Sequence, residues 1–356
     1  MSDKKFNYII YHRSCLDGFS GFFVAYTSGR LTKDVIIYPD VPSAKMVPPD
    51  IDGKDVIIID VAYRKEVLEE IIKHANSVVF IDHHVSIADD VEKLKEKYQD
   101  ASPDKIKIVY DEERSGATLA WKYFNSRQTA PLFLKYVEDQ DTGRWEHENT
   151  KPFVLAVKAN YHLSPEDKSI NKWFRLMNKE NVLELVEEGQ IMLKYSKQLV
   201  STNVPRHTMH RFPSTKLYNH LNGKDEENPF DKVAQYKIAL FCGFNCPSVT
   251  DLAVGAFERI DCDFMIAWVY NLDRQEYVFS MRSKEVDISK FAKSMGGGGH
   301  KLAAAMSFYK KDFDIDDMFE GNALPRNIKP SPGSGSESES GSVSHDMSRP
   351  DPMPLN

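Results

Sequence analysis

The sequence predicts an α/β protein, with a parallel-sheet first domain followed by a smaller C-terminal α/β domain. Two patterns carry that prediction. Residues 1–150 alternate short apolar, β-branched runs with helical stretches, as strands joined by crossover helices do. After a helical connector, the alternation resumes over residues 233–312. The chain has 356 residues, which is enough for two hydrophobic cores.

The expected strands of the first domain are 7–11, 35–38, 55–59, 77–81 and 106–110. The runs NYIIY, DVIII and SVVFI are the clearest. Helices are expected over 64–75 and 90–98, and another should begin near Ser115, where the small residues of SGAT precede LAWKYF. The segment 165–200 reads as helical, because Val182, Leu185, Val186, Met192, Leu193, Leu199 and Val200 recur at helical spacing. It is the helical part of a connector over 151–232, whose last part, 203–232, is polar and loop-like. In the second domain, strands are expected at 236–242, 264–270 and 276–282, with helices at 250–259 and 287–295. Residues 323–356 read as a disordered tail. SPGSGSESESGS and its surroundings hold too little apolar surface to offset the entropy of ordering.

Composition narrows the function. The formal net charge is −7, which argues against gripping long nucleic acid independently of sequence. A local basic patch can still hold a small phosphate-bearing ligand. No run approaches the ~18 apolar residues of a membrane span, and MSDKKFNYII has too short an apolar stretch for a secretory signal. The expectation is a cytoplasmic protein with no membrane partner. Cys15, Cys242, Cys246 and Cys262 include one C-x3-C spacing with no second pair, so they read as reduced, mostly buried thiols.

Ionisable residues gather where apolar runs end. NYIIY leads into His12 and then Asp17. DVIII leads into Asp60, and SVVFI into Asp82, His83 and His84. The apolar LFLKYV leads into Glu138, Asp139, Gln140 and Asp141. Singly, each has an ordinary reading: Asp17-Gly18 as a turn, Asp60 as a helix cap, His83 as a structural histidine. Together they would line the carboxyl edge of a parallel sheet, where ligands bind. So many acids repel one another at low dielectric unless a cation neutralises them. Mixed carboxylate and imidazole ligands suit Mn2+, with Mg2+, Fe2+ or Co2+ as alternatives.

In motif order the sequence resembles the DHH phosphoesterase superfamily. IDHH (81–84) is the motif that names the family, and YHRSCLDG, IIIDVAY and EDQDTGRW resemble its first, second and fourth motifs. FSMRSKEVDISKFAKSMGGGGHKLAAAMSF (279–308) resembles the DHH-associated domain, with its RS pair and GGGH loop. Among family members, the likeness is to oligoribonuclease/nano-RNA phosphatase and RecJ-type proteins.

The resemblance implies two metal ions, usually Mn2+, with Mg2+ or Co2+ as substitutes. Matched residue by residue, His12, Asp17, Asp60, His83 and Asp141 would be ligands, with Asp60 bridging. Asp82 would orient His83, and His84 would face the scissile phosphate. Many members carry two acids in the first motif, and here Cys15 stands at the earlier place. Asp139 is a candidate for the missing carboxylate. Arg282, Ser283, Gly297, Gly298, Gly299 and His300 would contact substrate. Residues 282–301 hold five basic residues against two acidic ones, and side-chain-free glycines let a phosphate approach backbone N–H groups.

The implied activity is phosphodiester hydrolysis of short oligonucleotides or linear or cyclic dinucleotides by a two-metal hydroxide mechanism. Polyphosphate or pyrophosphate hydrolysis and exonuclease action on a longer single strand use the same chemistry. A nucleotide-binding regulator with weak catalysis is a third reading, prompted by Cys15. The partner is a short nucleic acid or nucleotide substrate, and a homodimer is compatible with the sequence.

Overall fold

The computed structural model describes residues 4–42, 44–99, 104–222, 236–243, 248–325 and 328–329. It divides into two compact units, Met1–Tyr195 and Ser196–Asn356.

The first unit is built on five parallel strands: β1 (Phe6–His12), β2 (Leu31–Asp40), β3 (Asp55–Ile59), β4 (Ser77–Asp82) and β5 (Ile106–Tyr110). Their order is β2-β1-β3-β4-β5. Alternate residues serve two cores. Ile9, Tyr11, Ile57, Ile59, Val79 and Ile81 face one, while Tyr8, Ile10, Val56, Ile58, Val78 and Phe80 face the other. Burial on both faces is why these strands read as unbroken apolar runs. The winding reverses between β1 and β3, so the carboxyl ends of these two strands flank the switch point where such sheets bind ligands.

Helix α1 (Leu16–Thr27) packs on the first core and is absent from the sequence-based expectations. Leu16 through Ala25 are all buried, so it has no polar stripe to give a helical period. Helices α2 (Lys65–His74) and α3 (Ala88–Leu94) cover the other face. A π-helical turn, Lys95–Gln99, ends the stretch expected as one helix over 90–98. Helix α4 (Gly116–Phe124) starts where SGAT places it, with the Ser115 hydroxyl accepting from Thr118 N–H at 3.3 Å. LFLKYVEDQD is helix α5 (Leu132–Asp141), so this arm of the site arrives on a helix rather than a strand. Helices α6 (Thr150–Asn160) and α7 (Asp167–Trp173) bring Trp173, wholly buried, against Phe19, Phe23, Phe133 and Tyr161. Helix α8 (Lys179–Asn203) follows.

The second unit contradicts the expectation of a loop over 203–232. Strand β6 (Thr208–Phe212) and helix α9 (Thr215–Asn222) lie there, and 223–235 are outside the described residues. Strand β6 is polar in composition and is held by long-range pairing, which local sequence does not reveal. The remaining strands are β7 (Tyr236–Cys242), β8 (Phe264–Asn271), β9 (Glu276–Ser283), β10 (Gly298–His300), β11 (Ala303–Tyr309) and β12 (Glu320–Leu324). They form a seven-stranded sheet ordered β10-β11-β9-β8-β7-β6-β12. Only β7 and β8 pair in parallel among the described strands of this sheet. Helix α10 (Val249–Arg259) packs on one core and α11 (Ile288–Ser294) on the other.

Two further expectations are corrected here. Cys242 is exposed, and Cys15 and Cys262 are half-buried, so the described thiols are not mostly buried. Cys246 lies outside the described residues. The tail does not begin at 323, since Ala323 and Leu324 end β12 and Ile328 bridges Ile260. Residues 330–356 are outside the described residues. By composition, 330–356 holds too little apolar surface to pack, so deleting it should leave the thermal midpoint within about a degree, whereas deleting from Pro325 also removes the Ile328 contact and costs about 1 kcal/mol. A thermal melt of the two truncations checks this, and equal midpoints would reject the role given to Ile328. Among the described residues, no helix is long and apolar enough to cross a membrane.

Candidate metal centre

Strand β1 ends at His12, and the chain turns through Ser14 at φ +59°. Cys15 stands at the N-cap of α1, and Asp17 falls in its first turn, wholly buried. Gly18 makes this turn possible, because a Cβ there would lie 2.6 Å from the carbonyl oxygen of His12. The Asp17 carboxylate accepts from two unpaired amides at the start of α4, Gly116 N–H at 2.7 Å and Ala117 N–H at 3.1 Å.

Asp60 follows β3 in the left-handed region, at φ +61°, and is 1% exposed. Its N–H donates to Ile81 across the sheet at 2.9 Å. Its Oδ2 lies 3.2 Å from His12 Nδ1. Its Oδ1 lies 3.2 Å from His83 Nε2 and 3.7 Å from His84 Nδ1. Asp141, the last residue of α5, places Oδ2 3.1 Å from His83 Nε2, and Asp17 Oδ2 lies 3.9 Å from the same nitrogen.

The electrostatics show a site short of positive charge. Burial, then Asp60 and Asp141, push the Asp17 carboxyl well above its usual range. Burial also opposes ionisation of Asp60, but hydrogen bonds from His12 and His83 outweigh it and hold this carboxyl below its usual range. Burial opposes a charged His83, yet Asp141 and Asp60 raise it to about 11. At His84, burial is again outweighed, here by Asp82, and the ring is raised. The Cys15 thiol is pushed up by burial and then by Asp60. Asp141 Oδ2 is buried and has no well-aligned hydrogen bond.

Three sets of ligand atoms each lie within 4.8 Å of one another: His12, Cys15 and Asp60; Asp60, His83 and His84; and Asp17, His83 and Asp141. Such clustered acids and imidazoles, one with a buried oxygen that makes no well-aligned hydrogen bond, fit divalent cations. His12, Asp17, Asp60, His83 and Asp141 are thus brought together as expected.

Asp82 and Asp139 are placed differently from expectation. Asp82 Oδ1 accepts from the N–H groups of His83 and His84, at 2.7 and 2.9 Å, and lies 2.8 Å from His84 Nδ1. It orients His84, not His83, because the chain folds back over it directly after β4. Asp139 accepts from Glu146 N–H at 2.8 Å, His147 N–H at 3.1 Å and the Thr150 hydroxyl. It organises the loop into α6 and is in none of the three sets. Two residues along a helix turn roughly 200°, so Asp139 and Asp141 point to opposite sides.

Sequence reasoning missed the support around these groups. Gly116 and Ala117 amides hold Asp17, and Tyr110 donates to the His84 carbonyl at 3.0 Å. SGAT signalled a helix start, and such starts carry free donors.

In the second unit, Arg282 on β9 donates to Thr250 Oγ1 at 3.1 Å and to the Met281 carbonyl at 2.8 Å. Ser283 is buried, and its hydroxyl accepts from Glu285 N–H at 3.2 Å. His300 is exposed on β10. The glycines have a steric purpose. A Cβ on Gly297 would lie 2.3 Å from the Ala305 carbonyl, and one on Gly299 would lie 2.5 Å from that of Ala303. Gly297 N–H is taken by Ala292 at 2.7 Å, so it is not a free donor, while space beside Gly298 is open.

Asp60 lies between His12 and His83, with Asp17 and Asp141 from two other segments beside His83. These are the positions on which the sequence's resemblance to the DHH phosphoesterases rests. No family model matches the chain. The chain is 26% identical over 316 residues to the uncharacterized protein R106 of Acanthamoeba polyphaga mimivirus, covering 84% of this chain and 67% of that one. Among solved structures, it is similar to the pGpG-specific phosphodiesterase PggH from Vibrio cholerae, with 14% identity, a TM-score of 0.48, and 86% and 94% of the two chains covered. RecJ from Thermus thermophilus in complex with Mn2+ gives 12% identity, a TM-score of 0.33, and 86% and 50% coverage. A putative family II inorganic pyrophosphatase from Methanococcus jannaschii gives 11%, 0.25, and 88% and 97%. Cys15, the departure from the motif that the sequence resembles, lies in the His12 and Asp60 set.

Proposed function

We propose that this chain is a metal-dependent phosphoesterase that hydrolyses phosphodiester bonds of short oligonucleotides or of linear or cyclic dinucleotides. The observation that carries the reading is the convergence of His12, Asp17, Asp60, His83 and Asp141 from separate segments onto the switch-point edge of one parallel sheet. Divalent ions, Mn2+ first among them, supply Lewis-acid polarisation of phosphoryl oxygens and an activated water. His12, Asp17, Asp60, His83 and Asp141 hold them. Asp82 fixes the His84 ring through Nδ1 and favours its protonated form, so that Nε2–H donates to a phosphoryl oxygen as charge develops there. Arg282 and His300 bind the distal part of the nucleotide, and Gly298 gives a phosphate close access to the backbone.

The test is turnover of a short RNA, a cyclic dinucleotide and polyphosphate, each with Mn2+ and with chelator. Cleavage of either nucleotide substrate, lost on chelation and restored by Mn2+, is the expected result. Full activity after verified metal removal would reject the metal-dependent reading, and cleavage of polyphosphate alone would reject the substrate class.

His300→Ala separates recognition from chemistry. It should lower kcat/KM on a dinucleotide by about 1.5–3 kcal/mol, the range for a hydrogen bond to a charged group. On a generic phosphodiester too small to carry a second nucleotide, it should be nearly silent. An equal loss on both substrates, in folded and metal-loaded protein, would end the assignment of His300 to recognition.

A further inference from the structure

Cys15 stands where the resemblance places a carboxylate. Its Sγ lies within 4.8 Å of a ring nitrogen of His12 and a carboxylate oxygen of Asp60. Although Cys15 is the N-cap residue of α1, its side chain makes no capping hydrogen bond. The set formed by Asp17, His83 and Asp141 offers two carboxylates and one imidazole, with no sulfur. The two ends of the centre therefore present unlike donors.

We infer that the centre is built for two different ions: a borderline divalent ion of the Zn2+, Co2+ or Fe2+ class on His12, Cys15 and Asp60, and a harder ion such as Mn2+ or Mg2+ on Asp17, His83 and Asp141. Thiolate with imidazole selects the first class, and carboxylate-rich sites suit the second. One cysteine, one histidine and one aspartate are all ligand types that zinc accepts, and three protein ligands leave a position open. As the metal–sulfur bond forms, the thiol proton passes to solvent. The inference deepens the phosphoesterase reading and rests on it for the presence of metal.

Zinc X-ray absorption on the full chain reads the donors directly. Protein stripped with chelator is reloaded with excess Mn2+ and then given one equivalent of Zn2+. The expected result is a Zn–S shell at about 2.3 Å, absent in Cys15→Asp and Cys15→Ser and retained in Asp141→Asn. Aspartate and serine are both favourable at a helix N-cap, so these variants keep the start of α1, and circular dichroism verifies it. Zinc surrounded by nitrogen and oxygen alone in the wild type, with metal bound, overturns the inference and leaves the metal centre standing. A sulfur shell that persists in Cys15→Asp also overturns it, since the sulfur then belongs to another cysteine. Retention of no metal at all by the wild type overturns both readings.

Discussion

Asp60→Asn should remove phosphodiester turnover on every substrate, with kcat falling roughly a thousand-fold or more, about 4 kcal/mol of barrier. Asparagine keeps the size of the side chain and tolerates the left-handed backbone at this position, so the fold should survive. What it lacks is the buried negative charge that His12, His83 and His84 all face. Taking one partner from a buried ionic cluster leaves the others uncompensated. Steady-state kinetics with metal content measured on the same sample checks the prediction. Near wild-type turnover at normal metal content would remove Asp60 from the centre.

Gly116→Ala should weaken Mn2+ binding by roughly 10–100-fold, the range for disturbing groups that support metal ligands, and lower kcat/KM with it. A Cβ at this position would lie 2.8 Å from the Asp60 Cβ and 2.9 Å from Asp17 Oδ2. Both carboxylates must then give way. Alanine is a better helix former than glycine, so lost helicity cannot account for the result. Competition with a chelator gives the affinity, and far-UV circular dichroism monitors the fold. Unchanged affinity would mean that the carboxylates have more room than the geometry allows them.

The parallel sheet and the ionisable residues gathered at its edge were readable because both follow from local pattern. Runs such as DVIII and SVVFI are buried on both faces, and ionisable residues follow each of them directly. What was hidden depends on three-dimensional placement. Helix α1 lacks a polar stripe, and β6 becomes a strand only beside β7 and β12. The role of Asp82 hinged on which of two adjacent imidazoles the backbone turns toward it. Asp139 looked like a ligand by proximity to Asp141, but the helical period of α5 turns it away. The glycines of GGGGH suggested a phosphate cradle, whereas close packing of Gly297 and Gly299 against β11 accounts for two of them.

Asp17 is anchored to the amides of Gly116 and Ala117, so its orientation is settled when the chain folds and not when an ion arrives. Those two amides become natural reporters. Hydrogen–deuterium exchange at Gly116 and Ala117 should already be slow in chelator-treated protein, with little further slowing on addition of Mn2+. Ion binding would then be a fast, nearly rigid event, and the exchange pattern of α4 would tell an emptied but intact centre from one that has come apart.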